Sequence, residues 1–489
     1  MNTPEIVVSA TLYAAVCALI AWWASRRTDT PGAFFVAGRS IGVLPLAVAS
    51  MAAALSGFAF IGGPGLFYAA GAGALYIILP AAITGALSAW VLARRMRLLA
   101  EVRGVMTVPE AIGVRYRSPA ARGLAAVAML IAIAGYMATN FLALGLIIDA
   151  VFGIGLTTAV IVGAATILAY SAAGGILAGI YTDLFQGAVM AIASVLVFAA
   201  ALASGGGLGD ITRDIMQADP VFLSPWGTFS PLAALSLFFV FGLGVLGQPH
   251  VVHKYYMVRD PRSLRWYPLL MTGAMLVTLL LLFGVGMAVK ARVLAGDMTP
   301  LARPDDATPQ FLLGYASPLL AGIVFSGVAA AIMSTVNSFI NVGAAAVARD
   351  LPQALGRPLA DELRAGRIAS IVLTVAAVLI ALESGLLVAL LGLLGWGLFA
   401  STLVPSLAIG LAWEGATRAG AIASIATGLG LTVVLESLVW AKQLTLPAGV
   451  SATGITLSFS IVVFFVVSWL TRIRSEGDLD ADVRMVMRY

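Results

Sequence analysis

Long apolar runs without charge constrain the fold of this chain more than any other feature of its sequence. The run from Phe311 to Val347 contains no charged residue and is long enough to cross a bilayer as a helix. The 489-residue chain is 61% hydrophobic and only 10% charged, a composition that no soluble globular protein needs. We therefore predict an all-α polytopic membrane protein.

About thirteen transmembrane helices are predicted from these runs. The predicted spans lie near 5–25, 43–69, 72–93, 121–149, 155–173, 178–203, 231–252, 267–289, 312–347, 368–383, 385–412, 419–438 and 452–471. Of the 28 Lys and Arg residues, 23 fall in one set of alternating loops and 5 in the other. Because basic loops stay in the cytoplasm, the N-terminus is predicted outside and the C-terminus inside. The net charge of +5 then reflects orientation in the cell (inner) membrane, and no nucleic-acid partner is predicted.

The two ends of the chain and its cysteine content exclude several kinds of segment and site. Met1 to Trp23 lacks the pattern of a cleaved signal, so residues 1–27 are predicted to hold a retained, peripheral first span. Cys17 is the only cysteine, so neither a disulfide nor a Cys/His metal site can be built. The charged tail from Arg472 to Tyr489 is too short for a kinase or a binding domain.

Two predicted spans carry helix-breaking residues at membrane depth. The second span contains Ser56-Gly57, and the seventh ends in Gly247-Gln248-Pro249-His250. Such breaks are typical of transporter helices whose freed backbone groups face an ion or a solute. Close helix packing at Gly57 is the alternative. Because the two breaks are five spans apart, we predict two five-helix repeats at 41–203 and 231–412, followed by two spans and a short cytoplasmic tail at 413–489.

A face of small and hydroxyl-bearing residues runs along the ninth predicted span. Ala331, Ser334, Thr335 and Ser338 follow one another at helical spacing, and Asn337 lies at the edge of their face. Small residues of this kind often allow close helix packing in lipid. The alternative is an oxygen-only ligand face for a hard cation such as sodium.

Asp183 is the one acid predicted to lie well inside an apolar span. Ionisable groups there are costly and mark functional sites by default, although hydration at the cytoplasmic mouth is an alternative. No Lys or Arg is predicted inside a span, and His253 is predicted to be solvated in a basic loop. A solute carboxylate would therefore be bound by backbone amides at the two breaks.

Four stretches carry a resemblance to a known family. They are Phe34–Ser40, Ser56-Gly57 with Gly62–Gly65, Gly174–Gln186 and Ala331–Ser338. Together they resemble the sodium/solute symporter family, which includes bacterial proline, pantothenate and sialic acid symporters and the sodium/glucose cotransporters. The Gln-Pro-His at 248–250 is most similar to the proline-symporter branch. The resemblance implies a core of two inverted five-helix repeats, as in the bacterial leucine transporter.

The same resemblance implies two sets of sodium ligands. The main site would use the carbonyls of Ala52, Leu55 and Ala331 with the hydroxyls of Ser334 and Thr335. A second site, found in some members, would use Asp183, Ser334, Asn337 and Ser338. Many members have two serines where this chain has Asn337-Ser338, and the proline symporters have an aspartate where it has Ala54. Asp183 could alternatively orient a cytoplasmic gate.

The predicted function is sodium-coupled import of a small polar organic solute by alternating access. An amino acid or a small monocarboxylate is the expected solute, and Na⁺ and the lipid bilayer are the other partners of a carrier that functions as a monomer. The residues predicted to line the solute site are Ser56, Gly57, Asn140, Gly247, Gln248 and Trp396. The alternatives are a proton-coupled or uncoupled carrier of the same fold, and a transporter-like solute sensor. An intramembrane enzyme is not predicted, because Asp183 alone does not make a catalytic cluster.

Overall fold

The computed structural model describes residues 4–26, 30–383, 388–447, 450–472 and 479–489, and the regular structure in these ranges is helical. The helices are α1 (Pro4–Ser25), α2 (Pro31–Val36), α3 (Val43–Ala54), α4 (Gly63–Ala70), α5 (Leu75–Ser88), α6 (Arg94–Arg103), α7 (Val108–Tyr116), α8 (Pro119–Phe152), α9 (Leu156–Ser204), α10 (Leu208–Ala218), α11 (Pro231–Gly244), α12 (Pro249–Val252), α13 (Tyr267–Thr278), α14 (Leu280–Leu294), α15 (Ala307–Tyr315), α16 (Pro318–Ala345), α17 (Leu351–Ala354), α18 (Glu362–Glu383), α19 (Val388–Leu403), α20 (Gly410–Ala412), α21 (Arg418–Trp440), α22 (Ala452–Thr471) and α23 (Ala481–Met487). In the described ranges the only strand-like contact is one isolated bridge, between Ile41 and Val258. The all-α class is confirmed.

The described residues contain fewer long apolar helices than the thirteen predicted spans. Ten helices are long and apolar enough to cross a membrane, and eleven when the bent pair Pro231–Gly247 and Pro249–Met257 counts as one span. Two further predicted spans correspond to shorter apolar helices, Val43–Ala54 and Leu156–Ala169. The first residues of the predicted span at 385–412 lie outside the described residues. Thirteen spans and the orientation of the termini therefore stay predictions.

Both predicted helix breaks are present. The first follows α3, where Leu55 leaves helical geometry (φ −89°, ψ 88°) before a π-helical turn over Phe58–Gly62 leads into α4. The second follows α11, where a 3₁₀ turn over Val245–Gly247 ends at the extended residue Gln248. The two halves of this second helix are bent by 41°. Proline at the start of α12 suits this restart, because its missing N–H is not needed there.

Helix α16 lies at the centre of the bundle. It packs against α9, α1, α8, α18 and α3, and nearly all of its side chains beyond Gly327 are buried. A helix buried on all sides must be apolar or have its polar groups directed at partners. The hydroxyl face of α16 is therefore directed into the protein, and the partners of that face identify the candidate site.

The C-terminal helix α23 is attached to the end of α6. Arg103 pairs with Asp480 (2.7 Å) and Asp482 (2.5 Å), and the Arg103 guanidinium lowers the pKa of the Asp482 carboxyl below its usual range. Exposed pairs of this kind contribute little to stability. These ion pairs therefore position the tail near α6, and the buried side chains of Val483, Val486 and Met487 supply the apolar contact of α23.

Candidate functional site

The end of α3 meets the hydroxyl face of α16. Because α3 ends at Ala54, its carbonyls from Ala52 onward lack N–H partners within the helix. The Thr335 hydroxyl lies 2.8 Å from the Ala53 carbonyl oxygen and 2.9 Å from that of Ala331. Carbonyl oxygens at the C-terminal end of a helix attract cations. The structure therefore concentrates oxygens of two helices at one buried point.

The five residues predicted for the main sodium site all lie in this region. Ala52, Leu55, Ala331, Ser334 and Thr335 are buried. The Ser334 hydroxyl faces the Asp183 carboxyl but meets hydrogen-bond geometry with no partner among the described residues. An unpartnered buried hydroxyl is costly unless a ligand or water satisfies it. The donor set and this orphaned oxygen fit a hard cation.

Asp183 has a cationic partner that the sequence analysis did not predict. Lys254 Nζ lies 2.7 Å from Asp183 Oδ2, and both side chains are buried. The expectation that no lysine lies inside the membrane region is therefore wrong for Lys254. The reason is that the chain beyond the second break continues into the bundle instead of leaving it as a loop. Hydration of Asp183 at a mouth is excluded by its complete burial.

Asn337 is directed away from Asp183 and towards other partners. Its Oδ1 accepts hydrogen bonds from Ser171 (2.7 Å) and Asn341 (3.1 Å). Its amide nitrogen packs against Gly179, so closely that a Cβ on Gly179 would be only 2.4 Å away from it. Of the four residues predicted for a second sodium site, Asn337 thus has its oxygen already in use. Asp183, Ser334 and Ser338 remain, and Asp183 Oδ1 and the two hydroxyls meet hydrogen-bond geometry with no partner among the described residues.

The first helix break is tied to α8 by an asparagine side chain. Asn140 Oδ1 accepts the Gly57 N–H (2.9 Å), and Asn140 Nδ2 donates to the Tyr136 carbonyl (2.9 Å). The Ser56 hydroxyl lies 3.2 Å from the Tyr136 hydroxyl. Ser56, Gly57 and Asn140, all predicted for the solute site, are thus in one place. Asn140 supplies the acceptor that the interrupted backbone needs.

Replacing Asn140 with alanine is expected to loosen this break. The Gly57 N–H would then be buried without an acceptor, at a cost of about 1–3 kcal/mol. Thermal unfolding of the purified protein in detergent, with and without sodium, measures the effect. Thr139→Ala is the matched control, because the Thr139 hydroxyl bonds only within its own helix. Equal losses for both variants would contradict the assigned role of Asn140.

The second helix break packs against α19. A Cβ on Gly247 would lie 2.7 Å from the Phe399 carbonyl oxygen, so no side chain fits there. Trp396 lies across Gly244, and its indole N–H donates to the Val240 carbonyl (3.3 Å). Gln248 Nε2 donates to the Gly244 carbonyl (3.0 Å). The three predicted residues of this half therefore lie along one edge of the break.

Aromatic side chains that the sequence analysis did not single out join the two breaks. Phe241 stacks between Phe58 (5.8 Å between ring centroids) and Trp396 (5.2 Å). The Phe339 ring lies 5.1 Å from Tyr136 and 4.3 Å from His250. The two breaks thus enclose an apolar, aromatic-lined region with few polar groups, which is typical of a small-molecule site.

Two polar atoms in this region have no partner among the described residues. They are Gln248 Oε1 and His250 Nδ1, and both side chains are buried. Buried polar atoms without partners are rare, and such atoms mark places where a ligand or water completes the hydrogen bonding. His250 is therefore added to the residues that face the aromatic region.

His253 is also placed differently from its prediction. The sequence analysis expects a solvated side chain, whereas the imidazole is buried and its Nε2 lies 2.7 Å from the Phe35 carbonyl oxygen. A helical face could have indicated the inward course of this segment. His250 and Lys254, both beyond the break, are spaced at i and i+4, the spacing of one helical face.

Comparison with known proteins identifies the family to which this chain belongs. A family model described as "Sodium:solute symporter family" matches residues 34–428. The chain is 27% identical over 482 residues to the osmoregulated proline transporter OpuE of Bacillus subtilis (strain 168), covering 96% of this chain and 95% of that protein. It is 28% identical over 446 residues to the sodium/pantothenate symporter of Escherichia coli (strain K12), covering 89% and 91%.

Solved structures show the same fold. A Na⁺-coupled sialic acid symporter superposes with a TM-score of 0.78 at 18% identity, covering 95% of this chain and 98% of that one. Mhp1, a nucleobase-cation-symport-1 family transporter, gives 0.57 at 16% identity, covering 94% and 99%. These are transporters of the leucine-transporter fold. The protein is a multi-pass cell membrane transporter and not an enzyme, and the chain belongs to the sodium:solute symporter family.

Proposed function

We propose that this protein imports a small polar organic solute, an amino acid or a small monocarboxylate, together with sodium by alternating access. The observation that carries the proposal is the contact between the end of α3 and the hydroxyl face of α16. It gathers buried carbonyl and hydroxyl oxygens, the type of ligand that hard cations prefer. The relatives of this chain, which include a proline transporter and a sodium/pantothenate symporter, support sodium-coupled solute import.

In this proposal sodium binds the carbonyls of Ala52, Leu55 and Ala331 and the hydroxyls of Ser334 and Thr335. Thr335 donates to the Ala53 carbonyl, which leaves both lone pairs of its hydroxyl oxygen for the ion. Sodium would thereby link α3 to α16. Binding energy that favours one arrangement of these two helices is what couples the ion to the conformational cycle.

The solute is proposed to bind between the two breaks. Ser56, Gly57 and Asn140 lie on one side, Gly247, Gln248 and Trp396 lie on the other, and His250 joins them. The unpartnered Gln248 Oε1 and His250 Nδ1 offer hydrogen bonds to a polar solute, and the ring of Trp396 offers an apolar surface. We also propose that 41–203 and 231–412 are two inverted five-helix repeats, because each begins with an interrupted helix.

The double substitution Ser334→Ala with Thr335→Ala tests the sodium site. It removes two of the five proposed oxygens and leaves the helix backbone unchanged, so the sodium concentration for half-maximal stabilisation should rise at least roughly tenfold, which is about 1.4 kcal/mol of binding free energy. Thermal unfolding of the purified protein is measured against sodium concentration, with choline as the replacement cation.

Ser326→Ala is the matched control for this test. Ser326 lies on the same helix, is buried, and donates its hydroxyl to the Gly322 carbonyl (2.8 Å). Its loss should leave the sodium dependence unchanged. Unchanged sodium dependence in the double variant would contradict the proposed sodium site.

Stabilisation of the wild-type protein by acid pH but not by sodium would favour a proton-coupled carrier. A screen of amino acids and monocarboxylates, with and without sodium, identifies the solute class.

A further inference from the structure

The buried pair formed by Lys254 and Asp183 is the feature that the proposed function leaves unexplained. The Lys254 side chain is 1% exposed and the Asp183 side chain is fully buried, with 2.7 Å between Nζ and Oδ2. This distance is that of a charge-assisted hydrogen bond. A lysine is rarely buried unless it is paired, and the pair stands beside the hydroxyl face of α16. A positive charge of the chain itself is therefore located at a cation position.

Lys254 is held in place by its neighbours in sequence. The Met257 carbonyl accepts the Ile41 N–H (3.0 Å), and the Tyr256 hydroxyl donates to the Thr107 carbonyl (2.9 Å). On the other side, the His253 imidazole contacts the Phe35 carbonyl. The residues on both sides of Lys254 are thus anchored to different elements, His253 and Tyr256 by their side chains and Met257 by its backbone. The position of its ammonium group is a result of the fold.

Three buried oxygens lie on α9 and α16, the two helices that pack together beside this ion pair. Asp183 Oδ1, Ser334 Oγ and Ser338 Oγ are buried and have no hydrogen-bond partner among the described residues. Ser334 faces the Asp183 carboxyl. An ammonium has three donors, and only its contact with Asp183 Oδ2 meets hydrogen-bond geometry in the described residues. Carboxylate and hydroxyl oxygens of this kind also bind sodium.

The charges of Asp183 and Lys254 determine whether a sodium ion can bind beside the carboxylate. Asp183 and Lys254 together are neutral, so an added sodium ion would bring an uncompensated charge into a buried site, next to the Lys254 ammonium. Without the lysine ammonium, the carboxylate would be the uncompensated charge, and a free cation would be strongly favoured. One side-chain charge therefore controls whether a second ion can bind.

We infer that Lys254 is a tethered cation that takes the place of a second sodium ion beside Asp183. The carrier then binds one sodium ion, at the α3–α16 site, and Lys254 sets the ion count. This inference rests on the proposed sodium-coupled function. It makes Asp183 and Lys254 a permanent part of the binding face, and not a site that fills and empties during the cycle.

Counting sodium ions on the purified protein tests the inference. Binding of radiolabelled sodium at equilibrium, in the absence of solute, should give one ion per wild-type chain. Lys254→Met should give two, because the freed Asp183 recruits a second ion. The double variant Lys254→Met with Asp183→Asn should return to one. Lys254→Arg, which keeps the positive charge, is the matched control and should also give one.

The outcomes separate this inference from the proposed function. Two ions on the wild-type chain would overturn the tethered cation and leave sodium coupling intact. No sodium on the wild-type chain would overturn the proposed function. One ion on both the wild-type chain and a folded Lys254→Met would also overturn the inference. If Lys254→Met does not fold in sodium-free buffer, its recovery by sodium, and not by choline, supports the inference, and failure to recover overturns it.

Discussion

Replacing Asp183 with asparagine is expected to lower the free energy of unfolding by about 3–5 kcal/mol. The substitution keeps the size of the side chain and removes the charge that compensates Lys254. A buried ammonium group would then face neutral oxygens only, and the cost of breaking a buried ion pair from one side is large. Unfolding of the purified protein in mixed micelles, followed by the helical circular dichroism signal, measures the change.

Two controls accompany the Asp183 substitution. Asp210→Asn removes the same charge from an exposed pair with Arg213, where both side chains are half exposed or more, and should cost at most about 1 kcal/mol. Adding Lys254→Met to Asp183→Asn should recover most of the lost stability, because no uncompensated charge remains. If Asp183→Asn costs no more than the Asp210 control, the buried pair contributes nothing to the fold.

Replacing Gly57 with alanine is expected to disrupt the first helix break. A Cβ there would lie 2.7 Å from the Ala143 Cβ and 3.0 Å from Ile332 Cγ1. Such overpacking costs about 1–3 kcal/mol. The backbone that must shift continues directly into Leu55, so sodium affinity should fall at least roughly tenfold, about 1.4 kcal/mol. Thermal unfolding against sodium concentration measures both effects.

Two further glycine–alanine exchanges on α8 supply the controls for Gly57→Ala. Gly135→Ala lies on α8 with nothing within 4 Å of the new Cβ, so it should change neither stability nor sodium affinity by much. Combining Gly57→Ala with Ala143→Gly removes the closest contact and should restore part of the sodium affinity. A Gly57→Ala protein with wild-type sodium dependence would show that the exact position of the break has no bearing on the ion.

Local features of the sequence account for the class and for much of the site. Long uncharged runs require helices in a bilayer, because no other structure satisfies the backbone there. The breaks at Ser56-Gly57 and Gly247–His250 were predictable from glycine and proline alone, and both are present. The face of α16 was predictable from helical spacing. Its contact with the end of α3 came only from the family resemblance, because spacing within one helix does not identify the neighbouring helix.

The sequence by itself therefore determined the membrane class, the helix breaks and the hydroxyl face, since each depends on residues close together in the chain. Only the tertiary structure decided the partners of these features. Lys254 reaches Asp183 across 71 positions, and Asn140 reaches Gly57 across 83. Asn337 is directed at Ser171 instead of the acid. Which of these residues contact one another depends on which helices pack together. The burial of two opposite charges against each other can therefore be recognised only when that packing is known.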